Sequence, residues 1–448
     1  MSAKRVPRVT RRRALAISLG AAGVAAAGSL PPAAAEPSVA DPPARQTPER
    51  PFSTATTTMR TSKRTWVLTD VESDQYVDAI AMGPSDAAGA AAGCSATKRR
   101  LHGGLCEGVD VIELAGGPLR VIVVPTRGMG IWRAHCGETL LGWRSPVGGP
   151  VHPAFVRLDE PSGLGWLSGF DELMVRCGLE YNGGPEFHPN GILRYGLHGK
   201  IANTPARKVE VTLDGERGGV EVSGVVDEAR LFGNKLRLAS TISMRVGQMG
   251  WTVSDTVTNL SAEASELALL YHTNFGPPIG EPGARVLLPV EECAAYDEVS
   301  LREIGRWDQC GPESPGAAEV CYFFRLAAAT DGRTLAVLHD AAGTKGVRYT
   351  FNCNQLPWFT LWKNRQPIRD GYVTGLEPGT DLPNTKSFEK QKGRLVVLGP
   401  GESRSFQLTL EFLPDPKAVA AAAEAVAALQ RTAKPVIHGK LMPDWSAA

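Results

Sequence analysis

The chain has 448 residues, 48 basic and 47 acidic side chains, a formal net charge of +1 and 43% hydrophobic residues. That balance offers no basic surplus to hold a nucleic acid and no acidic tail, while the apolar content suffices for a packed core. The 49 glycines and 33 prolines favour many turns and short strands over long helices.

Residues 1–35 read as an export signal. Arg11, Arg12 and Arg13 precede a Gly/Ala-rich apolar run, and "PPAAAEP" offers an Ala-x-Ala cleavage pattern ending near Ala35. The paired arginines and the weakly hydrophobic run point to twin-arginine export. The expected product is a periplasmic or secreted protein with no stable membrane insertion once the signal is removed. Residues 36–64, rich in Pro, Ser and Thr, read as a linker.

From about Trp66 onward short apolar runs alternate with Gly, Pro and Asp. "LRVIVVP", "KVEVTL", "GVEVSGVV", "LRLASTISMRV", "WTVSDTVTNL", "LALLYH", "TLAVLHD", "RLVVLG" and "SFQLTLEF" all have strand texture. "LDGERGG" and "LGPGES" supply turn chemistry between them. Between the first two of these runs lies a long loop-like segment, Leu141 to Thr204, rich in Trp, Gly, His and Arg. Such length without clear strands is unusual unless it builds a site. "KAVAAAAEAVAALQRT", after Pro414 and Pro416, reads as a helix near the C-terminus. The fold class is therefore all-β, a large and mostly antiparallel sandwich spanning residues 65–413, with a C-terminal helix and tail over 414–448.

Eight cysteines are scattered with no C-x-x-C pair, which argues against a structural zinc site. Their even number and an oxidising destination leave room for one or two disulfides, with Cys94–Cys106 and Cys310–Cys321 the local candidates. Export of an already folded chain weakens that expectation.

Several chemistries lack their motifs. There is no Walker loop, no G-x-G-x-x-G after a strand, no H-E-x-x-H and no G-x-S-x-G. The eight histidines are dispersed, so no metal and no cofactor is expected. What remains is a set of His, Glu, Arg, Lys and Trp residues at strand ends, suited to a small polar ligand such as a carbohydrate held against aromatic faces. In "LALLYHTNFGPPIG" the apolar run ends at His272 before a Gly-Pro-Pro break. A histidine at a strand exit either caps the strand or presents a proton to a cleft, and these residues alone leave both readings open.

Three stretches in order then carry a resemblance: "LHGKIANTP" (197–205), "LLYHTNFGPP" (269–278) and "YVTGLEPGTDLPN" (372–384). A His-Gly, a strand-borne His before Asn-Phe and a late Leu-Glu resemble the galactose mutarotase (aldose 1-epimerase) superfamily. "PTRGMGIWRA", "GWRSPVG", "GLGWLSGF", "CGL" and "GLEP" look more closely like its aldose-epimerase-like branch known as a domain of unknown function, DUF4432. The resemblance covers roughly residues 65–413. It implies a galactose mutarotase-like β-supersandwich with a concave sugar site and a ring-opening mechanism. In that mechanism a base takes the anomeric hydroxyl proton while an acid protonates the ring oxygen, from opposite sides of the anomeric centre.

By position Glu377 is then the base, His272 the acid, and His198 a partner of a ring hydroxyl or the ring oxygen. Arg127 either forks onto sugar hydroxyls or pairs with a core carboxylate. Trp358 and Trp362 are candidates for stacking on pyranose faces, with Gln355 and Lys363 reaching hydroxyls; His152 is a further candidate. Two departures stand out. The family's "HTYFNL" reads "HTNFGP" here, and its sugar-contacting aspartate has no secure counterpart. The expected activity is interconversion of the anomers of an aldose or modified sugar. Non-catalytic carbohydrate binding is the alternative, as is isomerase or lyase chemistry on a modified sugar.

Overall fold

Two strand textures divide the chain in the computed structural model, which describes residues 57–60, 63–83, 86, 91 and 93–447. In Gly219–Ala229, Lys235–Arg245 and Gly250–Asn259 buried residues alternate with half-exposed ones. That pattern belongs to an antiparallel sheet with one face on the core and the other in water. Met174–Cys177, Leu270–Phe275 and Val373–Gly379 are instead buried at every position. Strands of that kind are covered on both faces.

The sheets follow this division. Among the described residues one sheet has eleven strands and carries the alternating set, and a second has thirteen and carries the doubly buried set. Within the second the order Val320–Leu326, Trp358–Asn364, Val373–Gly379, Leu270–Phe275, Met174–Cys177, Gly130–Cys136 is antiparallel throughout. Leu, Val, Ile and aromatic side chains from both sheets meet in one continuous core. All described residues fall within one compact unit, Ala55–Ala448.

A buried ion pair crosses that core beneath the doubly covered strands. Arg176 donates from Nε and Nη2 to the two oxygens of Asp255, at 2.5 and 2.9 Å, and the Tyr271 hydroxyl donates to Asp255 at 2.8 Å. Tyr271 and Arg176 therefore point inward. Their neighbours His272 and Val175, paired across the strands, point to the outer face. That outer face is covered by residues from the 141–204 segment. That segment holds three short 3₁₀ turns, Pro153–Phe155, Gly165–Gly169 and Ile201–Asn203, the strand Met174–Cys177 and the hairpin of Glu186–Phe187 with Leu193–Tyr195.

The C-terminal helix spans Pro416–Gln430. Asp415 caps it by accepting the Ala418 amide at 2.8 Å, and Val419, Ala422 and Val426 pack on Leu335, Val337 and Leu413. Some expectations change in detail. The stretch read as linker, 36–64, already carries a strand, Thr57–Arg60, paired with Lys63–Asp70. The signal segment lies outside the described residues. "LALLYH" divides into Ser265–Leu267 and Leu270–Phe275, so His272 sits inside a strand and not at its exit. Cys94, Cys106 and Cys310 are free thiols, so neither proposed disulfide is present. Among the described residues no helix is long and apolar enough to cross a membrane.

Candidate active site

His272 and Glu377 stand on neighbouring antiparallel strands, both on the outer face of the second sheet, and are 2% exposed. Their side chains meet: His272 Nε2 lies 3.1 Å from Glu377 Oε1. Gly375 makes this contact fit. A Cβ there would lie 2.5 Å from Glu377 Oε1 and 3.1 Å from His272 Cε1, so the missing side chain is the space into which the pair leans. Glu377 thus sits within the strand Val373–Gly379, deep under cover and not at a solvated turn.

The proton inventory of the pair follows from Asn274. Its Nδ2 donates to the carbonyls of Glu172 and His272, at 3.0 and 3.1 Å, which turns its Oδ1 toward the ring. His272 Nδ1 lies 2.7 Å from that Oδ1 and must carry a proton, because an amide oxygen only accepts. With Nδ1–H engaged, Nε2 faces a carboxylate oxygen. At that distance the two groups form an ion pair when the ring is protonated, and a proton can pass from Nε2 to the carboxylate or to a bound ligand.

His198 approaches from the covering segment. Its backbone is left-handed (φ 57°), and so is Gly199's (φ 75°). A Cβ at Gly199 would lie 2.2 Å from the Gly178 carbonyl oxygen, so glycine is required there. The paired turn holds the His198 ring 5.7 Å from that of His272, nearly perpendicular to it, and Nδ1 donates to the Asn182 carbonyl at 2.6 Å. Trp166, Phe170 and Trp362 complete an aromatic enclosure, with centroids 6.4, 5.1 and 5.3 Å from the His272 ring. Of the expected residues, Glu377, His272, His198 and Trp362 are therefore brought together.

The others are placed elsewhere. Arg127 takes the second of its two expected roles. Nε donates to Glu172 at 2.5 Å, Nη1 to the Val151 carbonyl and Asn203 Oδ1, and Nη2 to the Gly169 carbonyl. It ties the covering segment to the sheet. Lys363 points inward with Phe359 and Leu361, as strand alternation requires. Its ammonium donates to the Trp307 and Gln309 carbonyls, and burial pushes its pKa down to about 8. Trp358 shares the outer face, but its ring packs edge-on against Trp445 of the C-terminal tail, 5.0 Å away. Gln355 accepts the Gln407 amide from a strand of the other sheet. His152 accepts the Ala154 amide and caps its own 3₁₀ turn.

Residues that sequence reasoning passed over complete the site. Asn274 stood out only as a departure from the family pattern. Trp166 and Phe170 belong to "GLGWLSGF", where the residue pattern carries the family resemblance and points to no role. Thr360 is buried directly across from Glu377. Asp171 and Glu172 follow Phe170 under the same cover; burial, opposed by the Trp132 hydrogen bond and helped by the Glu172 charge, pushes the Asp171 carboxyl up to about 6.

Comparison with known proteins fits this architecture. The family model described as Domain of unknown function (DUF4432) matches residues 106–412. A solved structure of a candidate aldose 1-epimerase from Klebsiella pneumoniae is 33% identical, with TM-score 0.80 over 85% of this chain and 99% of that one. Galactose 1-epimerase from Lactobacillus acidophilus aligns over 71% of this chain and 98% of its own, at 13% identity and TM-score 0.48. No curated protein matches. The chain belongs to the DUF4432 family and has the galactose mutarotase-like fold.

Proposed function

We propose that the protein is an aldose 1-epimerase-like isomerase that interconverts the anomers of a pyranose, with Glu377 and His272 as its acid–base pair. The observation that carries this reading is their 3.1 Å contact on a face lined by Trp166, Phe170 and Trp362. Sequence reasoning set the two groups on opposite sides of the anomeric centre; here they stand side by side. The reaction tolerates that arrangement, since the anomeric hydroxyl and the ring oxygen are both bonded to C1. Glu377 takes the hydroxyl proton as the His272 Nε2 proton passes to the ring oxygen, and the C1–ring oxygen bond breaks to give the aldehyde. Rotation about C1–C2 and the reverse transfers close the other anomer. Asn274 keeps the imidazole in the one orientation that lets Nε2 act.

The 33% identity to the Klebsiella protein over nearly its whole length supports the reading. Saturation-transfer NMR across a pyranose panel tests it. Accelerated anomer exchange, lost in Glu377→Gln, is the expected result; no acceleration for any pyranose sinks it. The burial of the pair, at 2% exposure for each residue, favours non-catalytic binding as the second reading. Under that reading sugars raise the melting temperature without exchange. Export by the twin-arginine route is proposed from residues 1–35 alone, and fractionation of expressing cells, with and without Arg11–Arg13, tests it.

A further inference from the structure

We infer that Thr360 and Trp166 are the residues that hydrogen-bond the ring hydroxyls of a pyranose seated on the His272–Glu377 pair, an assignment that rests on the sugar reading above. Thr360 is paired across the strands with Glu377, and its side chain shares that outer face because Phe359 and Leu361 point into the core. It is 1% exposed, and its Oγ1 is buried without a hydrogen-bond partner. A valine has the same shape and would fill this position without that cost. A buried hydroxyl left unpaired destabilises the fold, and a site that binds a polar ligand is one place where such a group is kept.

Trp166 repeats the observation from the opposite wall. Its ring lies 4.7 Å from that of His198, it is 1% exposed, and its Nε1–H is likewise buried without an acceptor. The indoles of Trp132, Trp143 and Trp362 show the usual outcome: each donates, to Asp171, to the Glu172 carbonyl and to Glu319 respectively. Trp251 also lacks an acceptor, but it belongs to the other sheet. The sheet therefore offers a hydroxyl that both donates and accepts, and the covering segment offers a donor. Both stand beside the acid–base pair. A sugar hydroxyl donates and accepts at once and satisfies either. The rings of Phe170 and Trp362 supply apolar surface for the C–H faces of a pyranose. A ligand presenting a hydroxylated pyranose ring, and not an extended acidic or purely apolar molecule, fits this set.

The test separates binding from turnover. D-glucose, D-galactose and D-mannose, with their monodeoxy analogues, are titrated by calorimetry into the full chain carrying Glu377→Gln, and again into the chain with Glu377 intact. Thr360→Val should weaken the bound pyranose about tenfold, the loss expected for one hydrogen bond of about 1.4 kcal/mol. It should leave the melting temperature unchanged or raised, because it removes an unpaired buried hydroxyl. Thr360→Ser should restore affinity, and Trp166→Phe should lose it by a similar factor. One monodeoxy analogue should bind Thr360→Val and its parent equally. Unchanged affinity in Thr360→Val overturns the assignment, as does a fall in affinity and stability together that Thr360→Ser fails to rescue. Failure of all three pyranoses to bind also overturns it. Hydroxyl-dependent binding without anomer exchange would defeat the isomerase reading and leave the assignment standing.

Discussion

The His272 imidazole donates from Nδ1 to Oδ1 of Asn274, two residues along the same strand face, at 2.7 Å. Asn274 in turn has its amide fixed by two carbonyls, so the ring has one orientation and keeps a proton on Nδ1. The residue that departs from the family's Tyr is thus the one that holds the proton on His272 Nδ1.

Asn274→Leu tests this directly. It keeps the volume and removes the acceptor, freeing the ring to protonate at either nitrogen. Anomer exchange should fall about tenfold, less than the 10²–10⁴-fold that general acid–base catalysis as a whole supplies. Sugar affinity should stay within about twofold, because no step of binding uses Nδ1. A loss of affinity with exchange per bound sugar intact would show Asn274 to be a packing residue only.

Gly375→Ala addresses the space into which the pair leans. The new methyl would stand 2.5 Å from Glu377 Oε1, the far end of a flexible side chain, so the carboxylate gives way while the backbone stays. Unfolding stability should change by only about 1 kcal/mol. Exchange should fall about a hundredfold, the order expected when a reacting group is misplaced by about 1 Å. Full activity in the folded variant would mean that the observed contact is not the working geometry.

The sheet was readable from the chain because its solvent-facing strands alternate, as in "VEVSGVV" and "LRLASTISM". The doubly buried strands were readable for a different reason: "LALLYH" lacks alternation since both of its faces are covered. What hid was local. "MVRC" is four residues long and carries a buried arginine, so nothing in its period marks Met174–Cys177 as the strand beside His272. Glu377, His272 and His198 were singled out by their order along the chain, and the structure brings the three side chains together. The inward turn of Lys363 followed from the alternation that placed Trp362 outward, yet a long cationic side chain suggested a ligand. The roles of Trp166, Thr360 and Asn274 depend on which polar atoms find partners, and that is a property of three-dimensional neighbours.

Arg127 and Glu172 form a buried pair, each 1% exposed, whose remaining donors hold Gly169, Val151 and Asn203. Arg127→Met leaves the Glu172 charge uncompensated and should lower unfolding stability by about 3–5 kcal/mol. Arg127→Met combined with Glu172→Gln removes both charges and should recover part of that loss, read as urea midpoints of the two variants. Limited proteolysis should also cut Arg127→Met faster within residues 157–170, since the Gly169 carbonyl is released. Equal midpoints for the single and double variants would show that the charge pairing contributes nothing.

Asp171 should make stability depend on pH. Its carboxyl is pushed from 3.8 up to about 6, chiefly by burial, with the Glu172 charge adding to it and Trp132, Arg133 and Arg127 opposing. The native state therefore holds this proton more tightly than the unfolded chain. Between about pH 4 and pH 6 the unfolded state binds fewer protons, so this group's contribution to stability falls as pH rises, by about 3 kcal/mol at most. Asp171→Asn cannot titrate, and its amide oxygen can still accept from Trp132 Nε1. The variant should match the native chain near pH 4 and become progressively more stable than it up to about pH 7. Denaturant midpoints of both chains across that range measure the gap. A gap that does not change with pH would mean that Asp171 is ionised in the native state throughout, its charge held by Trp132 and the neighbouring arginines.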